Sequence, residues 1–103
     1  MSQPESTSQA TLPTWVEPSL FKGMLRGIER ECLRMQADGL IAQTDHPQAL
    51  GSALTHPHIT TDYSEALLEF ITPPQTSIQK ALNYLMDIHT VVHRHLPENE
   101  HLW

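Results

Sequence analysis

An α+β fold, an antiparallel sheet with covering helices, is what this sequence predicts, and three observations predict it. Gly27-Ile28-Glu29-Arg30-Glu31-Cys32-Leu33-Arg34 reads as a strand and runs into a turn signal, Ala37-Asp38-Gly39. Two further short runs, at 59–62 and 67–72, are rich in β-branched or apolar residues. In the last third, Ile78, Leu82, Leu85, His89, Val92 and Leu96 recur at three- and four-residue steps, the period of one amphipathic helix.

Residues 1–11 are polar, rich in Ser, Thr and Gln, and predict a disordered tail. Residues 12–25 are mixed and punctuated by Pro13 and Pro18, with a short helix expected about 19–24. The first strand is expected over 25–36, and 40–44 can return beside it as a hairpin partner. Residues 45–58, with Pro47, Gly51 and Pro57, read as loop or brief helix. In 64–72 helix propensity competes with strand. Strand is favoured because Pro73-Pro74 ends the run and the residue before a proline prefers extended backbone. The helix is expected over 76–96, about five turns long, with Thr76 and Gln79 as a capping box and Pro97 as its stop.

The composition bounds the function. One cysteine excludes an intrachain disulfide framework, and a reducing, cytoplasmic setting is expected. A net charge of −6 with only six Lys and Arg argues against nucleic acid and membrane surfaces as partners. No apolar run is long enough to span a bilayer, and no charged-then-apolar leader is read. Apolar residues make up 39% of the chain, so the core is expected to be thin and part of the apolar surface to meet something else. The apolar end Leu102-Trp103 reads as an interruption of a longer sequence.

The acids carry the chemistry. Residues i and i+2 of a strand share a face, roughly 6.6 Å apart along the chain. Glu29 and Glu31 therefore aim at one spot, while Arg30 and Arg34 point to the other face. Like charges on one face are unfavourable without a cation between them. Asp62 follows a β-branched run, and Glu69 sits among Leu67, Leu68, Phe70 and Ile71, where an acid is rarely left unpaired. Glu29, Glu31, Asp62 and Glu69 could share one sheet face as an all-oxygen set suited to Mg²⁺ or Mn²⁺. A solvated sheet face is the commoner use of acids in strands and stays open on spacing alone.

Three stretches change that balance. Gly27-Ile28-Glu29-Arg30-Glu31 with Leu33-Arg34, then Leu50-Gly51-Ser52-Ala53-Leu54-Thr55-His56, then Ile59-Thr60-Thr61-Asp62-Tyr63-Ser64-Glu65-Ala66-Leu67-Leu68-Glu69-Phe70-Ile71-Thr72-Pro73, resemble the N-terminal region of proteobacterial glutamate–cysteine ligases. The resemblance runs in one register from about Phe21 to Trp103 and includes the Ala37-Asp38-Gly39 turn. It implies an active-site funnel on an antiparallel sheet, related to glutamine synthetase, with residues 12–103 forming an incomplete part of the catalytic domain. It implies ATP-dependent joining of the glutamate γ-carboxylate to cysteine through an acyl phosphate, the first step of glutathione synthesis. It implies metal-binding roles for Glu29, Glu31, Asp62 and Glu69 around Mg²⁺ and the ATP phosphates. Tyr63 stands where the family usually has Phe and would help wall the cysteine side-chain pocket.

The family's enzymes are several times longer, and their contacts to adenine, glutamate and most of the phosphates are expected beyond Trp103. The chain is therefore expected to supply metal-binding acids alone, to need the remainder of a parent polypeptide, and to be inactive by itself. The alternative is a non-catalytic fragment that binds a divalent metal or a partner.

Cys32, on the face opposite the acid pair, reads as a small buried residue. His89 and His93, four apart, read as core or surface histidines, and His56 as a structural hydrogen-bonding residue. Glu65 reads equally as a support to the acids or as a surface acid. Met24, Met35 and Met86 read as packing residues.

Overall fold

The computed structural model describes residues 10–53 and 55–103. The expected disordered tail lies, up to residue 9, outside the described residues, and Ala10 and Thr11 are exposed without regular structure. Four strands, β1 (Glu29–Gln36), β2 (Ile59–Thr61), β3 (Leu67–Ile71) and β4 (Glu100–Leu102), form one antiparallel sheet in the order β2-β3-β1-β4. One helix, α1 (Ile78–His95), packs on it, and two short 3₁₀ turns lie at Pro18–Phe21 and Gln48–Leu50.

The register separates two chemistries. Cys32 pairs with Leu68 and Arg30 with Phe70, so the even-numbered residues of β1 share a face with Leu68 and Phe70. That face lies under α1, and its core joins Cys32, Leu50, Ile59, Leu68, Phe70, Ile88 and Val92. Leu68, Phe70 and Val92 have no exposed surface, and burying a side chain of this kind stabilises by about 1.5–3 kcal/mol. The odd-numbered residues of β1 lie on the other face, where Glu31 is paired with Glu69 and Glu69 in turn with Thr60.

Several sequence expectations are corrected. The helix begins at Ile78 and its cap is Ser77, whose hydroxyl accepts the Lys80 N–H at 3.3 Å, while the Gln79 side chain bonds Asn83 instead of closing a box with Thr76. The core-facing stripe is Ala81, Ile88 and Val92, with Tyr84, Leu85 and Leu96 against it. Ile78 and Leu82, expected in that stripe, are 60% and 41% exposed, so the buried stripe is rotated around the helix towards Ala81, Ile88 and Val92. Met24 and Met86 are exposed as well and do not serve as core packing.

Residues 40–44 form no strand. The turn is made as expected, with Gly39 at a φ of 86° and Asp38 Oδ1 accepting the Leu40 N–H, but pairing ends after a single bridge between Met35 and Ile41. Ala42 N–H then donates to the Arg34 carbonyl. The other side of β1 is taken by β4, which the sequence reading did not place.

The β4 end holds a buried ion pair. Arg34 Nη1 donates to Glu100 Oε2 at 2.9 Å and to Thr44 Oγ1 at 2.7 Å, and Nη2 donates to the carbonyls of Thr44 and Glu65. Both side chains of the pair are essentially without exposure. Removing one partner of such a pair leaves an uncompensated buried charge. Glu100→Leu should therefore lower stability in urea denaturation by about 3–5 kcal/mol. Arg34→Met combined with Glu100→Leu should lose less than Glu100→Leu alone, and a double variant less stable than either single one would contradict this account.

Candidate functional site

The open face of the sheet gathers three acids. Glu31 on β1 stands opposite Glu69 on β3, and Asp62 follows directly after the last residue of β2. Carboxylate oxygens of Glu31, Asp62 and Glu69 lie within 4.8 Å of one another. Glu31 and Asp62 are exposed and Glu69 is half-buried. Of the four acids expected to act together, the structure brings three into this group. Glu29 is on the same face, one pleat further along β1 opposite Ile71, and stands outside it.

The charge of the fourth acid is nonetheless felt at Glu69. The Glu69 carboxyl is pushed above its ordinary value of 4.5 by burial first, then by the negative charges of Glu29, Glu31 and Asp62. The donor set is all-oxygen and convergent, with no nitrogen or sulfur ligand in the group. It fits a hard divalent cation such as Mg²⁺ or Mn²⁺ and not zinc.

Local hydrogen bonds place these side chains. Thr60 Oγ1 donates to the Ala53 carbonyl at 2.6 Å and fixes β2 against the preceding loop. His56 Nδ1 accepts the backbone N–H groups of His58 and Ile59, each at 3.0 Å, which is the structural role expected of it. The Ala66 N–H donates to Ser64 Oγ and the Leu67 N–H to the Ser64 carbonyl, shaping the link from Asp62 into β3. Glu65 points away from the acid group: its carboxylate accepts the His46 N–H at 3.3 Å and its carbonyl accepts Arg34. Arg34 and Glu100 were not singled out as a pair by sequence reasoning, because they are 66 residues apart and no local pattern links them.

Tyr63 is 79% exposed beside Asp62 and lines none of the described cavities. Cys32 is buried on the opposite face, and burial pushes its thiol up, against the pull of Arg30. His89 packs edge-on against Phe70 under the sheet and is remote from the acid group by face. No helix of the described residues is long and apolar enough to cross a membrane.

The sequence model of a family described as glutamate-cysteine ligase matches residues 11–103. The chain belongs to the glutamate–cysteine ligase family. A glutamate–cysteine ligase of Hahella chejuensis is 58% identical over 86 residues, 84% of this chain and 16% of the relative. One from Alcanivorax borkumensis is 60% identical over 81 residues, 79% of this chain and 15% of the relative. Among solved structures, a glutamate–cysteine ligase from Francisella tularensis in complex with AMP superposes with a TM-score of 0.75 at 44% identity, covering 76% of this chain and 16% of that one. A bifunctional glutathione synthetase from Pasteurella multocida superposes with a TM-score of 0.70 at 44% identity, covering 73% of this chain and 10% of that one. The chain thus spans about a sixth of the length of the curated ligases it matches.

The raised Glu69 value makes a pH prediction. A carboxyl whose folded-state pKa lies above its unfolded value contributes stability in full below the ordinary carboxylate range, and that contribution is lost as pH rises through the folded value. Without divalent ions, the stability of the wild type relative to Glu69→Gln should therefore fall as pH rises from about 4. Glu69→Gln should flatten this part of the profile, and a variant profile as steep as the wild type would contradict the assignment.

Proposed function

We propose that this chain supplies one metal-binding wall of a glutamate–cysteine ligase site, in which ATP drives the joining of the L-glutamate γ-carboxylate to the L-cysteine amine. The observation that carries the reading is the convergence of Glu31, Asp62 and Glu69 on one sheet face in a chain of this family. These three carboxylates would hold Mg²⁺, or Mn²⁺ in its place, and Glu29 would add a fourth negative charge at the edge of the site. Bound there, the cation would neutralise phosphate oxygens of ATP and align them for transfer.

The chain's own residues do the positioning. The β1–β3 ladder sets Glu31 against Glu69, and the short β2 brings Asp62 to the same corner. Three convergent acids with Glu29 nearby repel one another, and that repulsion is what favours a cation over an empty site. Attack of the glutamate γ-carboxylate on the terminal phosphorus of ATP would release ADP and form an acyl phosphate. The cysteine amine would attack its carbonyl carbon and expel inorganic phosphate, leaving γ-glutamylcysteine. Tyr63, beside Asp62, would contribute its ring to the cysteine pocket once further protein closes over it. The sheet would then be one side of a glutamine-synthetase-like funnel, in a cytoplasmic enzyme. The AMP held by the Francisella tularensis relative is consistent with an adenine nucleotide as co-substrate.

One observation favours a second, non-catalytic reading as a metal-binding or partner-binding fragment. Trp15, Phe21, Leu25, Ile78 and Met86 are each at least half exposed, which is surface suited to contact with further protein.

Calorimetric titration with Mg²⁺ tests the metal site. Wild type should bind saturably, and Glu31→Gln, Asp62→Asn and Glu69→Gln should each weaken binding by about tenfold or more, in line with the loss of one charged ligand. Glu29→Gln should weaken it less. Equal binding by all of these variants would overturn the site. Phosphate release from ATP, glutamate and cysteine by the 103-residue chain should stay at the protein-free background. Release that depends on both amino acids would show that the chain holds more than one wall.

A further inference from the structure

The reverse face of β1 has a charge character opposite to that of the acid face. An open groove of about 460 Å³ runs along one side of α1, lined by Met86, His89, Thr90, His93 and Arg94 and bordered by Arg30 of β1. Acidic residues outnumber Lys and Arg by 12 to 6 in the chain, yet this lining contains two arginines and no acid. Asp87, the acid of α1, lines a separate cavity with Tyr84, Ile88 and Val91.

The two guanidinium charges are uncompensated. Among the described residues the ion pair formed is Arg34–Glu100, and neither Arg30 nor Arg94 has a carboxylate within 4.0 Å. Cys32, on the same face of β1 as Arg30, does not neutralise it, because burial keeps it a thiol. Arg30 Nη1 donates to His89 Nε2 at 3.0 Å, which requires a lone pair there and a neutral ring protonated on Nδ1. Burial, then Arg30, then His93 all push His89 towards that neutral form.

The arrangement is held in place. His89 meets Phe70 edge-on, with centroids 4.9 Å apart and planes at 86°, and stacks on His93 at 6.2 Å and 27°. Arg30 is thereby tied to a ring that the core itself fixes. Met86, unbranched and adaptable, forms the apolar part of the wall. An arginine fork suits a phosphate or carboxylate.

We propose that this open groove binds a small organic oxyanion, its charged group on Arg30 and Arg94 and its apolar body over Met86 and the His89 and His93 rings. The site lies behind the strand that carries Glu29 and Glu31 and needs neither ATP nor a divalent cation. It therefore goes beyond the ligase reading and stands or falls separately from it.

The test is an NMR titration of the 103-residue chain with phenyl phosphate, in parallel with inorganic phosphate and with phenol, all without divalent ions, ATP or amino acids. Phenyl phosphate should saturably shift the His89 and His93 ring signals and bind at least tenfold more tightly than either half-ligand. Arg94→Gln, an exposed change near the end of the helix, and Arg30→Gln should each weaken it by tenfold or more with the amide spectrum otherwise kept. Non-saturating shifts, unchanged affinity in Arg94→Gln, or inorganic phosphate binding as tightly as phenyl phosphate would overturn the proposal.

Discussion

The buried guanidinium of Arg34 ties together four segments that are distant in sequence. It pairs with Glu100 on β4, with the hydroxyl and carbonyl of Thr44 in the loop after β1, and with the carbonyl of Glu65 ahead of β3. Thr44 Oγ1 also donates to Glu100, so both charged groups are held by more than their mutual attraction. Burying a guanidinium in a thin core is costly unless such acceptors surround it. These contacts of Nη1 and Nη2 fasten the 62–66 link and β4 beside β1, together with the β1–β4 backbone ladder. The acid face depends on this, because the Glu65 carbonyl is three residues from Asp62 and the Arg34 side chain is on the strand that carries Glu31.

A single strand thus serves two chemistries through its pleat. Odd positions of β1 present Glu29 and Glu31 to the open face, and even positions present Arg30, Cys32 and Arg34 to the helix side. The sheet between them keeps opposite charges from pairing along the chain. Glu31 and Arg30 are adjacent in sequence, yet no ion pair joins them among the described residues. The acids and Arg30 thus lie on opposite faces of the sheet.

Much of this was legible before the structure. The two-residue spacing of Glu29 and Glu31, the proline pair after Thr72 and the stop at Pro97 are local signals, and the elements they mark are present. The burial of Cys32 and the structural role of His56 follow from the same local reading. What was not legible depends on register and on contacts across the chain. Whether three or four acids converge is decided by Glu31 facing Glu69 and Glu29 facing Ile71, which spacing within β1 cannot give. The β4 strand has a polar Glu-His sequence and three residues, so it carries no signal of its own and exists through its pairing with β1. The helix stripe was misplaced because Ala81 is buried while the larger Ile78 and Leu82 are exposed, which size and hydrophobicity alone do not indicate.

Paramagnetic relaxation by Mn²⁺ tests the central claim most directly, because it reports where a divalent cation sits without requiring turnover. Substoichiometric Mn²⁺ added to the ¹⁵N-labelled chain should broaden amide signals around Glu31, Thr60, Asp62 and Glu69 first, with signals of α1 on the opposite side of the sheet retained. Broadening that spreads evenly over exposed acids such as Glu17, Asp38, Asp87 and Glu98, with no preference for that corner, would contradict the account.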